Sequence, residues 1–531
     1  MTTPGDRIAR RVLVLAALVL GLALLGLAGD ASALSYVALG DSLAVGSGDG
    51  GGGGYVARYR DDLATDLEAP VALQNLGVGG STTQNLLDSL TTDSMVESAV
   101  AGADVVTFDI GGNDILIALL AFKGGTCGGA DGQDCLRQAA ATFDANWPAI
   151  LTQLRTLNPG AMMRTMTYYN SLIVDLDPGD GTAATLKPYL TALNATIRST
   201  APNAGIAVAE GITAFNGRSG NEDPIAKGYI DADHIHPSPL GYDVLGEAFH
   251  GLGYSPIPGA KIRIPSTVQL RDDVVPPLDP SQRTLSFVAK STPAIGPSGR
   301  IVPPPPGLPV DPRTSGAMLT VYNGAGVTMD LAPISLPATG WTLVGTNGYR
   351  FHGTGTVSQA LIVADKIIVK AKGAGLDYSL DEPSQGVVAV TLTLGGGGWC
   401  AAAPAKSSGS PPSTAAHDHP GMFLGQKNAP PPASCPPEPG SPPTTTSTTS
   451  SSTSTSTTPP SCAGSSCSLC GSCGDGLCLA AGGGCLYSGS GAVCAGGCVG
   501  HMCTSDADCL PIGKTICGSS GGIPICCTAC P

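Results

Sequence analysis

Ser42, Asn113, Asp233 and His236 are the side chains in this sequence best suited to chemistry, and each stands in a short block of small or turn-forming residues. The blocks read Gly40-Asp41-Ser42-Leu43, Gly111-Gly112-Asn113-Asp114 and Asp233-His234-Ile235-His236-Pro237. A fourth, Asn75-Leu76-Gly77-Val78-Gly79-Gly80, offers backbone N–H groups at its glycines. Acyl transfer at serine needs a nucleophile, a base to take its proton, a carboxylate to orient the base, and donors aimed at the tetrahedral oxyanion. A histidine suits the base role because its proton affinity lies near neutral pH, and a carboxylate fixes which ring nitrogen faces the serine. Glycine lets backbone approach a substrate closely, and asparagine offers an N–H2 donor without charge. Taken singly, each residue has a plainer reading: Ser42 and Asn113 as helix N-caps, Gly80 as a turn glycine. Asp231 and His234 repeat the Asp-x-x-His spacing two residues earlier, so two registers are open. The plainer reading of His234 is a loop histidine.

These blocks fall where a parallel sheet would place them. From Leu34 to about Tyr254, short apolar runs alternate with longer amphipathic ones, which is the pattern of strands crossed over by helices. The runs predict strands at Tyr36–Leu39, Val71–Asn75, Val105–Ile110, Met162–Thr167 and Ile206–Ala209. They predict helices at Tyr55–Leu67, Thr82–Leu90, Cys135–Leu157 and Ala183–Thr200. Ser42 and Asn113 then follow strands, at the carboxyl edge of the sheet where α/β proteins bind ligands. The expected product is a three-layer α/β/α sandwich. Asp41 and Asp114 are expected to make structural hydrogen bonds. Gly50–Gly54 predicts a mobile loop beside the serine that leaves the acyl pocket undefined.

The four blocks in this order resemble the GDSL or SGNH hydrolase superfamily over residues 36–250. The resemblance implies an SGNH, flavodoxin-like fold and a serine ester hydrolase of lipase, esterase or acylhydrolase type. It implies Ser42 as nucleophile, His236 as base, and Asp233 as the carboxylate that orients it. It favours the later histidine register, since His236 directly precedes Pro237. The Ser42 N–H, the Gly80 N–H and the Asn113 amide become the oxyanion donors. No metal or organic cofactor is required, and the substrate is a lipid or short-acyl carboxylic ester.

The rest of the chain is modular. With 531 residues the protein exceeds one domain, and a formal net charge of -14 argues against a nucleic-acid partner. Arg7, Arg10 and Arg11, an apolar run from Val12 to about Ala28, and Ala31-Ser32-Ala33 have the layout of a cleavable export signal over 1–33, with an uncleaved anchor as the alternative. Export agrees with 18 cysteines, 14 of which follow residue 461. Within 34–254, Cys127 and Cys135 are expected to pair. A Pro-rich stretch opens a second region, 255–435, whose runs Arg283–Lys290, Ala317–Tyr322, Lys366–Ala371 and Val387–Leu394 suggest an antiparallel β-sandwich, with Cys400 and Cys435 free to close its end. Its segment 373–390 resembles tail modules of exported bacterial proteins.

Residues 436–461 are a Pro/Ser/Thr linker, and 462–531 a Cys-rich module with too few large apolar residues for a core. Cys467-x-x-Cys470-x-x-Cys473 and Cys527-x-x-Cys530 also fit zinc, but export favours disulfides. The expectation is a secreted or cell-surface ester hydrolase whose C-terminal modules serve cell-surface or polysaccharide contact. Its rivals are an acetyl-polysaccharide esterase and a surface-binding protein with a degenerate hydrolase domain.

Overall fold

The computed structural model describes residues 33–177, 179–272, 279–407 and 417–439, and the backbone of five short strands beyond residue 485. Except for Ala33, the export signal lies outside the described residues. So do most of the Pro/Ser/Thr linker and the cysteine pairing of the last module. Residues through 444 form one compact unit and the remainder a second.

The N-terminal part of the first unit runs β1 (Leu34–Gly40), α1 (Ser42–Val45), α2 (Gly54–Leu67), β2 (Val71–Asn75), α3 (Thr83–Thr92), α4 (Ser94–Ala101), β3 (Val105–Asp109) and α5 (Gly112–Lys123). It continues through α6 (Asp134–Leu157), β4 (Met162–Met166), α7 (Thr182–Thr200), β5 (Ala207–Ala209), α8 (Gly211–Asn216) and α9 (Pro239–His250). The five strands form one parallel sheet in the order β2-β1-β3-β4-β5. Every residue of β3 and β4 is buried, as in strands covered on both faces. β2 is the partly exposed edge. The helices pack in two sets, α2 with α9 and α6 with α3, α5 and α7.

All five expected strands are present, and the four expected helices agree within about two residues. The sequence pattern missed α1, α4, α5, α8 and α9. Helix α5, Gly-Asn-Asp-Ile-Leu-Ile-Ala-Leu-Leu-Ala-Phe-Lys, is apolar almost all round and carries no one-sided stripe. Helix α9 did carry a signal: the Ser238 hydroxyl accepts from Gly241 N–H and Pro239 occupies the first turn. The expected bond between Cys127 and Cys135 is formed, closing the start of α6.

From Lys261 onward the unit is β-rich. One sheet joins β10 (Leu331–Leu336), β9 (Ala317–Asn323), β15 (Val387–Leu394), β16 (Gly397–Pro404) and β6 (Lys261–Arg263) in that order. The other joins β11 (Trp341–Val344), β12 (Gly348–His352), β13 (Val357–Val363), β14 (Lys366–Lys372), β8 (Thr284–Lys290), β7 (Thr267–Arg271), β18 (Met422–Leu424) and β17 (Asp418–His419). Pairing is antiparallel except that β6 lies parallel to β16. Cys400 is bonded to Cys435. In the second unit, β19 (Leu486–Ser488), β20 (Gly491–Val493), β21 (Val499–Met502), β22 (Ile516–Ser520) and β23 (Ile523–Cys527) form a separate sheet.

Candidate active site

The strand order 2-1-3-4-5 reverses direction between β1 and β3, and such a switch point opens a crevice at the carboxyl ends of the strands. Ser42 leaves β1 and Asn113 follows β3 on the two sides of that crevice. The cap of α1 is Asp41, whose carboxylate accepts the Leu43 N–H at 2.9 Å. The Ser42 hydroxyl is therefore not spent on capping. It lies 2.8 Å from His236 Nε2, and His236 Nδ1 lies 2.5 Å from Asp233 Oδ2.

The chain from Tyr229 to Ser238 folds back on itself to present His236. Asp231 N–H donates to the His236 carbonyl and Ser238 N–H to the Tyr229 carbonyl. Asp233 Oδ1 accepts from the N–H groups of Ile235 and His236, both at 2.9 Å, while its other oxygen meets the imidazole. Burial pushes the Asp233 carboxyl up, but these bonds from His236 and Ile235 outweigh it and hold the group below the ordinary carboxylate range. Tyr169 clamps the loop from the other side, its hydroxyl donating to the Ile235 carbonyl at 2.7 Å. His234 stands in the left-handed region with φ 61°, its Nδ1 buried without a partner. Of the two histidines, His236 is the one beside Ser42.

Asn113 is the second residue of α5, whose cap is Gly111, so it is not an N-cap. Its amide donates to Asp41 Oδ2 at 3.1 Å and to the Ser81 carbonyl at 3.0 Å, which engages both of its hydrogens. Gly80 sits in the exposed turn closed by Ser81 N–H on the Val78 carbonyl, with φ 80°. Its neighbour Ser81 ties this turn to the site through the carbonyl that accepts from Asn113. Asp114 accepts from the N–H and hydroxyl of Thr83 and anchors α3 to α5.

The glycine-rich loop is folded around a carboxylate: Asp49 accepts from Gly54 N–H at 2.8 Å and from Arg58 at 2.7 Å. A Cβ on Gly48 would meet the Pro237 carbonyl at 2.5 Å, so the loop packs directly behind His236. The cleft beside the serine is built elsewhere. A cavity of about 110 Å³ opens from Ser42 and His236 and is walled by Leu116, Leu119, Leu172, Leu186, Leu190 and Leu193. Leu116 and Leu119 follow Asn113 at helical spacing, a signal available once α5 is extended past the asparagine. Leu172 comes from an irregular loop with no such signal. The sequence reading also passed over Asp109, which lies fully buried beneath Asp41.

A parallel sheet with this order, a serine–imidazole–carboxylate chain at its switch point and an apolar cleft beside the serine define an ester-bond hydrolase of α/β architecture. Residues 38–244 match the GDSL-like Lipase/Acylhydrolase family model. The chain is 26% identical over 231 residues to the spore germination lipase LipC of Bacillus licheniformis, covering 43% of this chain and 99% of that protein. Among solved structures, it is similar to the lipase Lip_vut3 from a goat rumen metagenome, with 26% identity, a TM-score of 0.35, and coverage of 42% of this chain and 98% of the other. It is also similar to the acetylxylan esterase Axe2 of Geobacillus stearothermophilus, with 20% identity, a TM-score of 0.30, and coverage of 41% and 92%.

Proposed function

We propose that the protein is an exported serine ester hydrolase acting on carboxylic esters with an apolar acyl chain. The observation that carries this reading is the hydrogen-bonded chain from Ser42 Oγ through His236 to Asp233. Ser42 attacks the ester carbonyl while His236 Nε2 takes its proton. The imidazolium, oriented by Asp233, then protonates the departing alkoxide, and water enters by the reverse path to release the acid. The oxyanion donors are the Ser42 N–H, the Gly80 N–H and the Asn113 amide. For Asn113 to serve, the oxyanion must share a hydrogen now directed at Ser81 or Asp41.

The leucine-walled cleft supports an alkyl acyl group, and its volume is well below the roughly 300–1,000 Å³ of sites that engulf drug-sized ligands. Only a short length of chain fits. Export rests on the N-terminal run and the cysteine content. The same reading includes a three-layer hydrolase domain at 34–254, a β-sandwich region at 255–435, a linker at 436–461 and a Cys-rich module at 462–531, with the later modules serving surface or polysaccharide contact. Hydrolysis of p-nitrophenyl esters by the full chain tests the reading. Activity is expected, with a loss of at least about 1,000-fold in Ser42→Ala. Undiminished turnover in a folded Ser42→Ala protein would refute it.

A further inference from the structure

Beneath the serine lies a second acidic residue that the scheme above does not use. Asp41 and Asp109 are both buried, 3% and 0% exposed, and they meet in the core under the turn that carries Ser42. Asp109 Oδ2 accepts the Asp41 N–H at 3.2 Å and Oδ1 accepts the Tyr55 hydroxyl at 2.6 Å. Asp41 accepts from Leu43 N–H, from the Asn113 amide at 3.1 Å and from the Tyr168 hydroxyl at 3.3 Å. The first glycine of the serine block makes room for this pair. Gly40 has φ 135°, and a Cβ there would stand 2.7 Å from the Asp109 carboxyl carbon and 2.4 Å from its carbonyl oxygen.

We propose that Asp109 is a positioning residue for the reaction: it and Asp41 hold one proton between them, and that shared proton fixes both the turn that carries Ser42 and the amide of Asn113. This deepens the proposed function and rests on it. Two neighbouring carboxylates buried inside a protein cannot both ionise without strong repulsion, and among the described residues no Lys or Arg forms an ion pair with either. The three donors on Asp41 mark it as the carboxylate, leaving Asp109 as the acid that donates to it. Burial first, and then the charge of Asp41, push Asp109 well above the ordinary range, in agreement with this assignment.

The titratable groups facing the pair are Tyr36 on β1, Tyr55 on α2, Tyr168 and Tyr169 after β4, Tyr242 on α9, and the His236 ring. Burial raises all five tyrosines, so these stay neutral and supply no compensating cation. When the shared proton leaves at high pH, a second negative charge appears beside the developing oxyanion. The turn from Gly40 to Ser42 loses its brace at the same time.

The test compares the full chain with Asp109→Asn and Asp109→Ala. Asp109→Ala should lower kcat on the order of 100-fold, as a misplacement near 1 Å does, with a much smaller change in KM. Asp109→Asn keeps a donor to Asp41 and should recover most of that loss. It should also lack the alkaline decline in kcat expected of the unmodified protein. Infrared difference spectra should reveal a protonated carboxyl in the unmodified protein at neutral pH that is missing from Asp109→Asn, a readout that holds even if Asp109→Ala does not fold. Absence of that band, or identical alkaline limbs, overturns the proposal. If instead Ser42→Ala stays active, the underlying functional reading fails whatever the infrared result.

Discussion

Replacing Leu116 by tryptophan should convert the enzyme from one that gains rate with acyl length into one that does not. Leu116 lies one helical turn from Asn113 on the wall of the cleft and is only partly buried, so an indole can fill the cavity of about 110 Å³ without displacing the core. Each methylene withdrawn from water contributes about 0.8 kcal/mol. The four methylenes that distinguish hexanoyl from acetyl esters are therefore worth about 3 kcal/mol, on the order of 200-fold in kcat/KM. The assay is kcat/KM for p-nitrophenyl acetate, butyrate and hexanoate on both proteins. The unmodified protein should climb about fourfold per methylene until the cleft is full. Leu116→Trp should keep the acetate rate and flatten the series. A uniform fall across all three esters, or a hexanoate advantage that survives, would refute the placement of the acyl chain against α5.

Two further outcomes are expected. His236→Ala should lose at least about 1,000-fold in kcat while His234→Ala stays within about tenfold, because only His236 reaches Ser42; equal losses in steady-state assays would reject this division of roles. His250 on α9 hydrogen-bonds Asp66 at 2.7 Å, and that bond first, against burial and with help from Asp62 and Glu247, raises its proton affinity above the ordinary value. Its contribution to stability is thus complete below the unfolded-state pKa near about 6.5 and disappears as pH rises through the higher folded-state value. Urea unfolding at acidic and alkaline pH should show this loss in the unmodified protein and not in His250→Gln.

The asymmetry between what was legible in the chain and what was not follows from the range of the forces involved. Strands β1 to β5 and the long helices announce themselves because burial on a sheet or helix face imposes a period on neighbouring residues. The pairs Cys127–Cys135 and Cys400–Cys435 were legible because few cysteines lie near them. Helix α5 was hidden because one side packs on α6 and α7 while another lines the cleft, which removes the polar stripe that marks an ordinary surface helix. Most strands of the β-rich region escaped notice for a related reason: short runs between Gly, Pro and Asn owe their register to partners far along the chain, as β6 does to β16.

The sequence by itself determined which residue types were available for acyl transfer, their order, and the alternating elements that deliver them to one sheet edge, since these depend on local chemistry and periodicity. Only the tertiary structure decided which of two equally spaced histidines stands beside Ser42, because that depends on a loop in which His234 takes φ 61° and turns away. Only packing built the leucine-walled cleft, from two helices and a loop that no local rule connects. The same holds for Asp109, 68 residues from Asp41 in the chain and in hydrogen-bond contact with it because β1 and β3 are neighbours in the sheet.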